Sequence, residues 1–160
     1  MDARFDVVEL VRVAIIEERT GVAFYGALAQ KAADAQLRAV FAKMSEQEKV
    51  HETRFQDMLE GLEQAKRPEG YPDEYVAYIE TLVTRGTWAE RSAAATSRDY
   101  DDDMEALDTA LGLERDQLVL MQDMAHIIGG KHRQVIEAII KEEQAHVVEL
   151  TAAKRRLLGG

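Results

Sequence analysis

Apolar residues recur every three or four positions along four long segments of the chain. In the second segment the repeating positions are Leu37, Phe41, Met44, Glu48, His51, Phe55, Met58 and Leu62. Steps of three and four residues keep such a stripe on one side of an α-helix, as in the buried seam of a helical bundle. The pattern therefore predicts four long helices, over residues 5–33, 35–64, 102–128 and 131–157.

Two short turns and one long connection join these helices. Asp34 is placed to cap the second helix, and Gly129 and Gly130 are expected to end the third. Short turns make two antiparallel hairpins. The segment between residues 65 and 101 carries both prolines and is predicted to be a loop with a short helix over residues 73–86. A single long crossover is typical of ferritin-like bundles, so we predict one all-α domain over residues 1–160, a ferritin-like four-helix bundle.

A glutamate interrupts each of the four apolar stripes, and on two of them a histidine follows three residues later. These six residues are Glu18, Glu48, His51, Glu114, Glu143 and His146. Each glutamate lies near the middle of its helix, and the midpoints of antiparallel helices meet at the same height. The two halves also match, because one pair of glutamates is separated by 30 residues and the other by 29. We therefore expect the six side chains to converge on one point in the core.

Six polar side chains inside an apolar core need a compensating charge. One glutamate alone could reach water, and one histidine alone could be satisfied by a hydrogen bond. Four buried carboxylates without partners would each cost several kcal/mol, and no lysine or arginine occupies the stripes. Glutamates from two helices with Glu-x-x-His from the other two form a known dimetal pattern. We therefore predict that all six residues bind two divalent metal ions.

Residues next to these six are assigned from their helical phase. Tyr25 lies on the same stripe as Glu18. It either donates a hydrogen bond to a ligand carboxylate or fills the core with its hydroxyl satisfied elsewhere. Glu17, Glu52 and Glu142 lie off the stripes, so changing any of them to glutamine is expected to have little effect on the metal content.

The composition excludes several other classes of protein. The net charge of −10 argues against nucleic-acid binding, which needs a basic surface. The absence of cysteine excludes disulfides, zinc ribbons and iron–sulfur clusters. No run approaches the roughly 18 apolar residues that span a membrane, and the N-terminal segment lacks the features of a signal peptide. We therefore expect a cytoplasmic protein with no membrane or nucleic-acid partner.

Short motifs on all four predicted helices resemble the rubrerythrin family of the ferritin-like superfamily. The motifs are EERTGVAFYGALA at 17–29, EQEKVHE at 46–52, ALGLERDQL at 110–118 and KEEQAHVVEL at 141–150. The resemblance implies the same six ligands and a non-haem di-iron site that reacts with hydrogen peroxide or dioxygen, with the metal centre itself as the catalytic group. Ferritin-like chains commonly pair through helix faces, so a homodimer is expected.

The chain departs from that family in two places. Rubrerythrins with a rubredoxin domain carry a four-cysteine iron centre, whereas this chain has no cysteine. An external electron donor, either a protein or a small reductant, is therefore expected. Gln117 stands where such members have an extra glutamate, one turn after the ligand on the third helix. Its neutral amide cannot serve as an anionic ligand.

Three functions remain open from the sequence. A di-iron oxidoreductase would reduce peroxide or dioxygen, whereas a ferroxidase would oxidise Fe²⁺ and pass it on. A non-catalytic bundle would hold zinc or manganese for stability. Carboxylate and imidazole ligands accept several first-row metals. The resemblance favours two iron ions, with manganese or zinc as alternatives.

Overall fold

The computed structural model describes residues 7–64, 91 and 94–159. Within these residues four long helices account for most of the chain, and no strand is present. They are α1 (Val7–Lys31), α2 (Ala35–Gln64), α3 (Asp103–Ile127) and α4 (Gly130–Leu157). The predicted all-α bundle is confirmed, with helix ends within two residues of expectation where they are described. The predicted helix over residues 73–86 and the predicted start at residue 5 lie outside the described residues.

The helices pack as two hairpins placed face to face. α1 lies along α2 and α3 lies along α4, and the hairpins meet through contacts of α2 with α4 and of α1 with α3. Two apolar clusters fill the core. One cluster consists of buried residues from 7–15, 55–58, 120–128 and 136–139. The other consists of residues from 24–32, 37–44, 106–111 and 150–153, with Ala95. The middle of every helix lies between the two clusters.

Aspartates cap the starts of α2 and α3, and the cap on α2 is the one that the sequence predicts. The Asp34 carboxylate accepts a hydrogen bond of 2.8 Å from the backbone N–H of Leu37. Asp102 accepts one of 2.8 Å from the N–H of Glu105. Asp103 accepts two further bonds from the backbone of the α1–α2 turn, of 2.9 and 2.8 Å. The bonds from Leu37 and Glu105 satisfy helix N–H groups that have no partner within the helix. The bonds to Asp103 join the two hairpins at one end of the bundle.

The α3–α4 turn differs from the expectation that two glycines end α3. The helix stops at Ile127, and Ile128 has an extended backbone with φ −89° and ψ 124°. Its side chain is only 3% exposed and packs in the core, so the chain turns in order to bury it. Gly129 then precedes α4, and Gly130 opens that helix with φ +61°. A left-handed conformation favours glycine, so the glycines serve the start of α4 rather than the end of α3.

The outer faces of the helices are polar. Exposed ion pairs join neighbouring helices, for example Arg19 with Glu52 at 2.7 Å and Lys43 with Glu149 at 2.8 Å. Each such pair contributes only about 0–1 kcal/mol, so burial of the two apolar clusters stabilises the fold far more. Among the described helices, none has a stretch long and apolar enough to cross a lipid bilayer.

Candidate metal centre

All six residues singled out from the sequence lie together at mid-height in the bundle. Each of them is at most 1% exposed, because the apolar clusters close the core above and below. One glutamate comes from each helix, and the two histidines come from α2 and α4. The predicted convergence is therefore observed. It arises because each glutamate lies near the middle of its helix and on the same face as the apolar stripe of that helix.

The six residues form two overlapping groups, each able to hold one cation. The first group is Glu18, Glu48, His51 and Glu143, and the second is Glu48, Glu114, Glu143 and His146. Within each group one ligand atom per residue lies within 4.8 Å of the others. Two glutamates, from α2 and α4, belong to both groups. The arrangement offers two adjacent cation positions that share two carboxylates.

Both histidines direct Nδ1 towards the carboxylates. His51 Nδ1 lies 2.7 Å from Glu143 Oε1 and 3.2 Å from Glu48 Oε2. His146 Nδ1 lies 3.0 Å from Glu143 Oε2 and 3.4 Å from Glu48 Oε1. The two rings are 5.9 Å apart between centroids and inclined by 28°. Each ring therefore faces one side of the shared carboxylate pair.

The outer nitrogen of each histidine is held by a residue from the opposite hairpin. His51 Nε2 donates a 2.8 Å hydrogen bond to Glu142 Oε2, and His146 Nε2 donates one of 3.1 Å to Gln47 Oε1. An imidazole that donates through Nε2 can keep a lone pair on Nδ1. These outer bonds therefore present both rings in the tautomer that binds a metal through Nδ1.

Glu142 and Gln47 are neighbours of the candidate site that the stripe pattern missed. Glu142 was expected to lie off the apolar stripe, and its side chain is 36% exposed. Its carboxylate nevertheless contacts His51, so a position off the stripe does not keep it away from the six residues. Both residues directly precede a stripe glutamate, in equivalent positions of the two hairpins. This internal repeat is the signal that could have found them.

The glutamates that belong to a single group each receive one hydrogen bond from a neutral donor. The Tyr25 hydroxyl donates to Glu114 Oε1, so of the two predicted roles for Tyr25 the structure supports the bond to a site carboxylate. Gln117 Nε2 donates to Glu18 Oε1 at 3.0 Å. In both glutamates Oε1 is thereby occupied, and Oε2 is left for another partner.

Several buried lone pairs at the centre have no hydrogen-bonding partner among the described residues. They are on Glu18 Oε2, Glu48 Oε1, Glu114 Oε2, both carboxylate oxygens of Glu143, and His146 Nδ1. Leaving a buried polar atom unsatisfied costs about 1–3 kcal/mol, and more for a charged group. Divalent cations accept lone pairs from carboxylate oxygen and imidazole nitrogen. This donor set therefore fits bound metal ions.

Without a cation, protons balance part of the negative charge. Burial raises the pKa of Glu114 to about 8 and the pKa of Glu18 well above its usual range. For Glu48, burial alone would raise the pKa, but the nearby rings of His146 and His51 outweigh it and lower the pKa to about 2. Burial lowers the pKa of His146, but the surrounding carboxylates outweigh it and raise the pKa to about 12. The pKa of His51 is raised in the same way.

A small cavity between α1 and α3 reaches the site. Its volume is about 20 Å³, which is room for about one water-sized molecule. The lining residues are Glu17, Thr20, Gly21, Phe24, Tyr25, Leu113, Glu114 and Gln117. Glu17, expected off the stripe, is buried in this wall at 6% exposure. Only a very small molecule could approach the carboxylates from this side without movement of the helices.

Comparisons with known proteins identify a family and a similar fold. The model of the rubrerythrin family matches residues 9–154. The fold is similar to the crystal structure of a proposed ferritin-like diiron-carboxylate protein from Thermotoga maritima, with a TM-score of 0.69 and 21% sequence identity, covering 97% of this chain and 98% of that chain. At that identity the likeness shows a shared fold. No curated protein matches the sequence significantly.

Proposed function

Because the chain belongs to the rubrerythrin family, we propose that it is a di-iron oxidoreductase that reduces hydrogen peroxide or dioxygen with electrons from an external donor. The observation that carries the proposal is the pair of overlapping, fully buried ligand groups with unpartnered lone pairs. Two iron ions bound there would supply two electrons to the oxidant, one from each ion. The family and the ligand types favour iron over manganese or zinc.

The protein residues in this proposal would hold the metal pair. Glu48 and Glu143 belong to both ligand groups, so they would bind both ions. His51 and His146 would each bind one ion through Nδ1. The four carboxylates would supply the charge that balances two divalent ions. The apolar clusters above and below exclude water, which strengthens each electrostatic contact in the site.

Tyr25 keeps a proton at the edge of the site. Burial, together with the charge of Glu114, raises the pKa of Tyr25 well above its usual range. The hydroxyl therefore stays protonated at neutral pH and continues to donate to Glu114 Oε1. This bond holds the Glu114 carboxylate in place, and Glu114 Oε2 has no hydrogen-bonding partner among the described residues. Gln117 has the same role for Glu18.

The cavity between α1 and α3 supports a small oxidant as substrate. Its volume of about 20 Å³ suits a molecule of one or two heavy atoms. Tyr25 and Glu114 lie in its wall, so a molecule in the cavity would lie beside the second cation position. Larger organic substrates do not fit this space.

Ferroxidase activity is the second candidate, and Glu17 favours it. This residue adds a carboxylate to the wall of the same cavity, and an anionic group on a route into the site suits the passage of Fe²⁺. The net charge of −10 also attracts cations to the surface. In this function Fe²⁺ would be a substrate rather than a resident cofactor.

Iron loading followed by turnover separates these functions. Metal-free protein is loaded anaerobically with two Fe²⁺ per chain and then given peroxide or oxygen, with and without a small reductant. We expect the reductant to be consumed over many turnovers while two irons stay bound. Continued oxidation of added Fe²⁺, with iron leaving the site, would indicate a ferroxidase. Absence of any redox change with either oxidant would contradict both activities and leave a metal-binding bundle.

A surface variant controls this experiment. Glu149 pairs with Lys43 on the outside of the bundle, and Glu149→Gln should leave iron content and turnover unchanged. The homodimer and the external donor remain part of the proposal. Size-exclusion chromatography with light scattering tests the dimer, and a monomer under all conditions would contradict it.

A further inference from the structure

We propose that the two metal positions differ in affinity, and that the position formed by Glu18 and His51 binds its ion more tightly than the position formed by Glu114 and His146. The inference deepens the proposed function and rests on the two-metal site described there. It follows from a difference between the two residues that hold the outer nitrogens of the histidines. One of them is a carboxylate, and the other is an amide.

The ligand sets themselves are balanced between the two positions. Each position has the two shared glutamates, one glutamate of its own and one histidine. The two glutamates that belong to one position, Glu18 and Glu114, each accept a single bond from a neutral donor. The α1–α3 cavity wall contains both Glu114 and Gln117, so its carboxylate Glu17 lies beside both halves. None of these contacts separates the positions by charge.

The hydrogen bonds at Nε2 of the two histidines do differ in charge between the two metal positions. Glu142 accepts from His51 at 2.8 Å, and its other oxygen is held by Arg54 Nη1, also at 2.8 Å. Arg54 thus holds the Glu142 carboxylate in place and balances part of its charge. On the other side, the neutral amide of Gln47 accepts from His146 at 3.1 Å. The bond to His51 is shorter and has an anionic acceptor.

An anionic acceptor strengthens the imidazole as a metal ligand. Hydrogen bonds to an ionised group are roughly twice as strong as bonds between neutral groups. A carboxylate that accepts from one ring nitrogen increases the electron density on the other, which raises ligand basicity. Loss of such a partner typically weakens metal binding by about 10–100-fold. We expect the dissociation constants of the two positions to differ by the same factor.

Cobalt titration of metal-free protein tests the inference directly. Co²⁺ alone is titrated by calorimetry in competition with a chelator, without any assay of activity. We expect two binding steps whose dissociation constants differ by about 10–100-fold. In Glu142→Gln the tighter step should weaken towards the other, and in Gln47→Glu the weaker step should tighten. Glu18→Ala should remove the tighter step, whereas Glu114→Ala should remove the weaker one.

Controls separate this effect from general damage to the fold. Glu149→Gln removes a carboxylate three residues after His146 that pairs with Lys43 on the surface, and both dissociation constants should stay unchanged. Thermal unfolding of the metal-free variants, followed by circular dichroism, should show that each one folds. A merely structural role for Glu142 would weaken both steps together, and that result would overturn the inference.

The remaining outcomes distinguish this inference from the proposed function. Two ions bound with equal affinity in the wild type, or two unequal steps that Glu142→Gln leaves unchanged, would overturn the inference and leave the two-metal site intact. Binding of fewer than two Co²⁺ per chain in the wild type would overturn the proposed function, and this inference with it.

Discussion

Glu143 places both carboxylate oxygens between the two histidines, with Oε1 2.7 Å from His51 Nδ1 and Oε2 3.0 Å from His146 Nδ1. Neither oxygen has a hydrogen bond of its own among the described residues. Glu48 lies opposite and also approaches both rings. By contrast, Glu18 belongs to the first group alone. The residues at this site therefore differ in how many ions depend on them.

Alanine substitutions should reveal this difference. Glu143→Ala or Glu48→Ala removes a ligand from both positions, so we expect well below two metal ions per chain after dialysis. Glu18→Ala affects one position and should retain one ion. Elemental analysis of anaerobically purified protein measures the ratio. Two ions per chain in both Glu143→Ala and Glu48→Ala would show that the site lies elsewhere.

At the scale of the helices, α1 packs against the side chain of Glu48 at Gly21. A Cβ atom added to Gly21 would lie 3.2 Å from the side-chain Cγ of Glu48, closer than most side chains tolerate. The glycine therefore lets α1 approach the shared glutamate of α2. Glycine within a helix costs about 0.5–1 kcal/mol relative to alanine. Here the glycine lies where a larger side chain would press against Glu48.

Gly21→Ala should consequently uncouple stability from metal binding. The substitution improves helix propensity but displaces Glu48 by a few tenths of an ångström, so we expect weaker Co²⁺ binding without a large loss of unfolding free energy. Gly112→Ala is the matched control, because a Cβ there meets nothing within 4 Å. It should stabilise the protein by about 0.5–1 kcal/mol and leave binding unchanged. Equal Co²⁺ affinities in the two variants would contradict the role assigned to Gly21.

At the scale of the whole molecule, the bundle couples protons to metal ions. The pKa of Glu114, about 8, lies above that of an unfolded glutamate, about 4.3. The stabilisation that Glu114 gives the folded state is complete below about pH 4 and is lost as the pH rises through 8. The pKa of His146 is raised to about 12, so its contribution to stability also falls as the pH rises above about 6.5, the pKa of an unfolded histidine. Metal ions compete with these protons, so they bind more tightly at higher pH.

The metal-free protein should therefore become less stable between about pH 6 and pH 9. The midpoint of thermal unfolding, measured by circular dichroism, is expected to fall over this range. Addition of Co²⁺ should raise the midpoint more at pH 9 than at pH 6, because fewer protons have to be displaced. A midpoint of the metal-free protein that stays level or rises over this range would contradict the coupling.

The stripe pattern of the sequence determined the four helices and the convergence of six polar residues. Helix periodicity is local, and the energetic cost of burying Glu18, Glu48, Glu114 and Glu143 applies to any packing of these stripes. The preference of aspartate for helix starts likewise predicted the cap at Asp34. These features could be predicted because neighbours in sequence, or a single repeated register, decide them.

Only the tertiary structure decided which residues meet across the helices. The contacts of Glu142 with His51 and of Gln47 with His146 depend on the rotation of α2 against α4. A stripe pattern does not fix that rotation. The role of the glycines beside Ile128 was likewise decided by burial of one side chain in the core. Packing between helices depends on contacts that are distant in sequence. It determines the partners of the two histidines, which the local pattern could not predict.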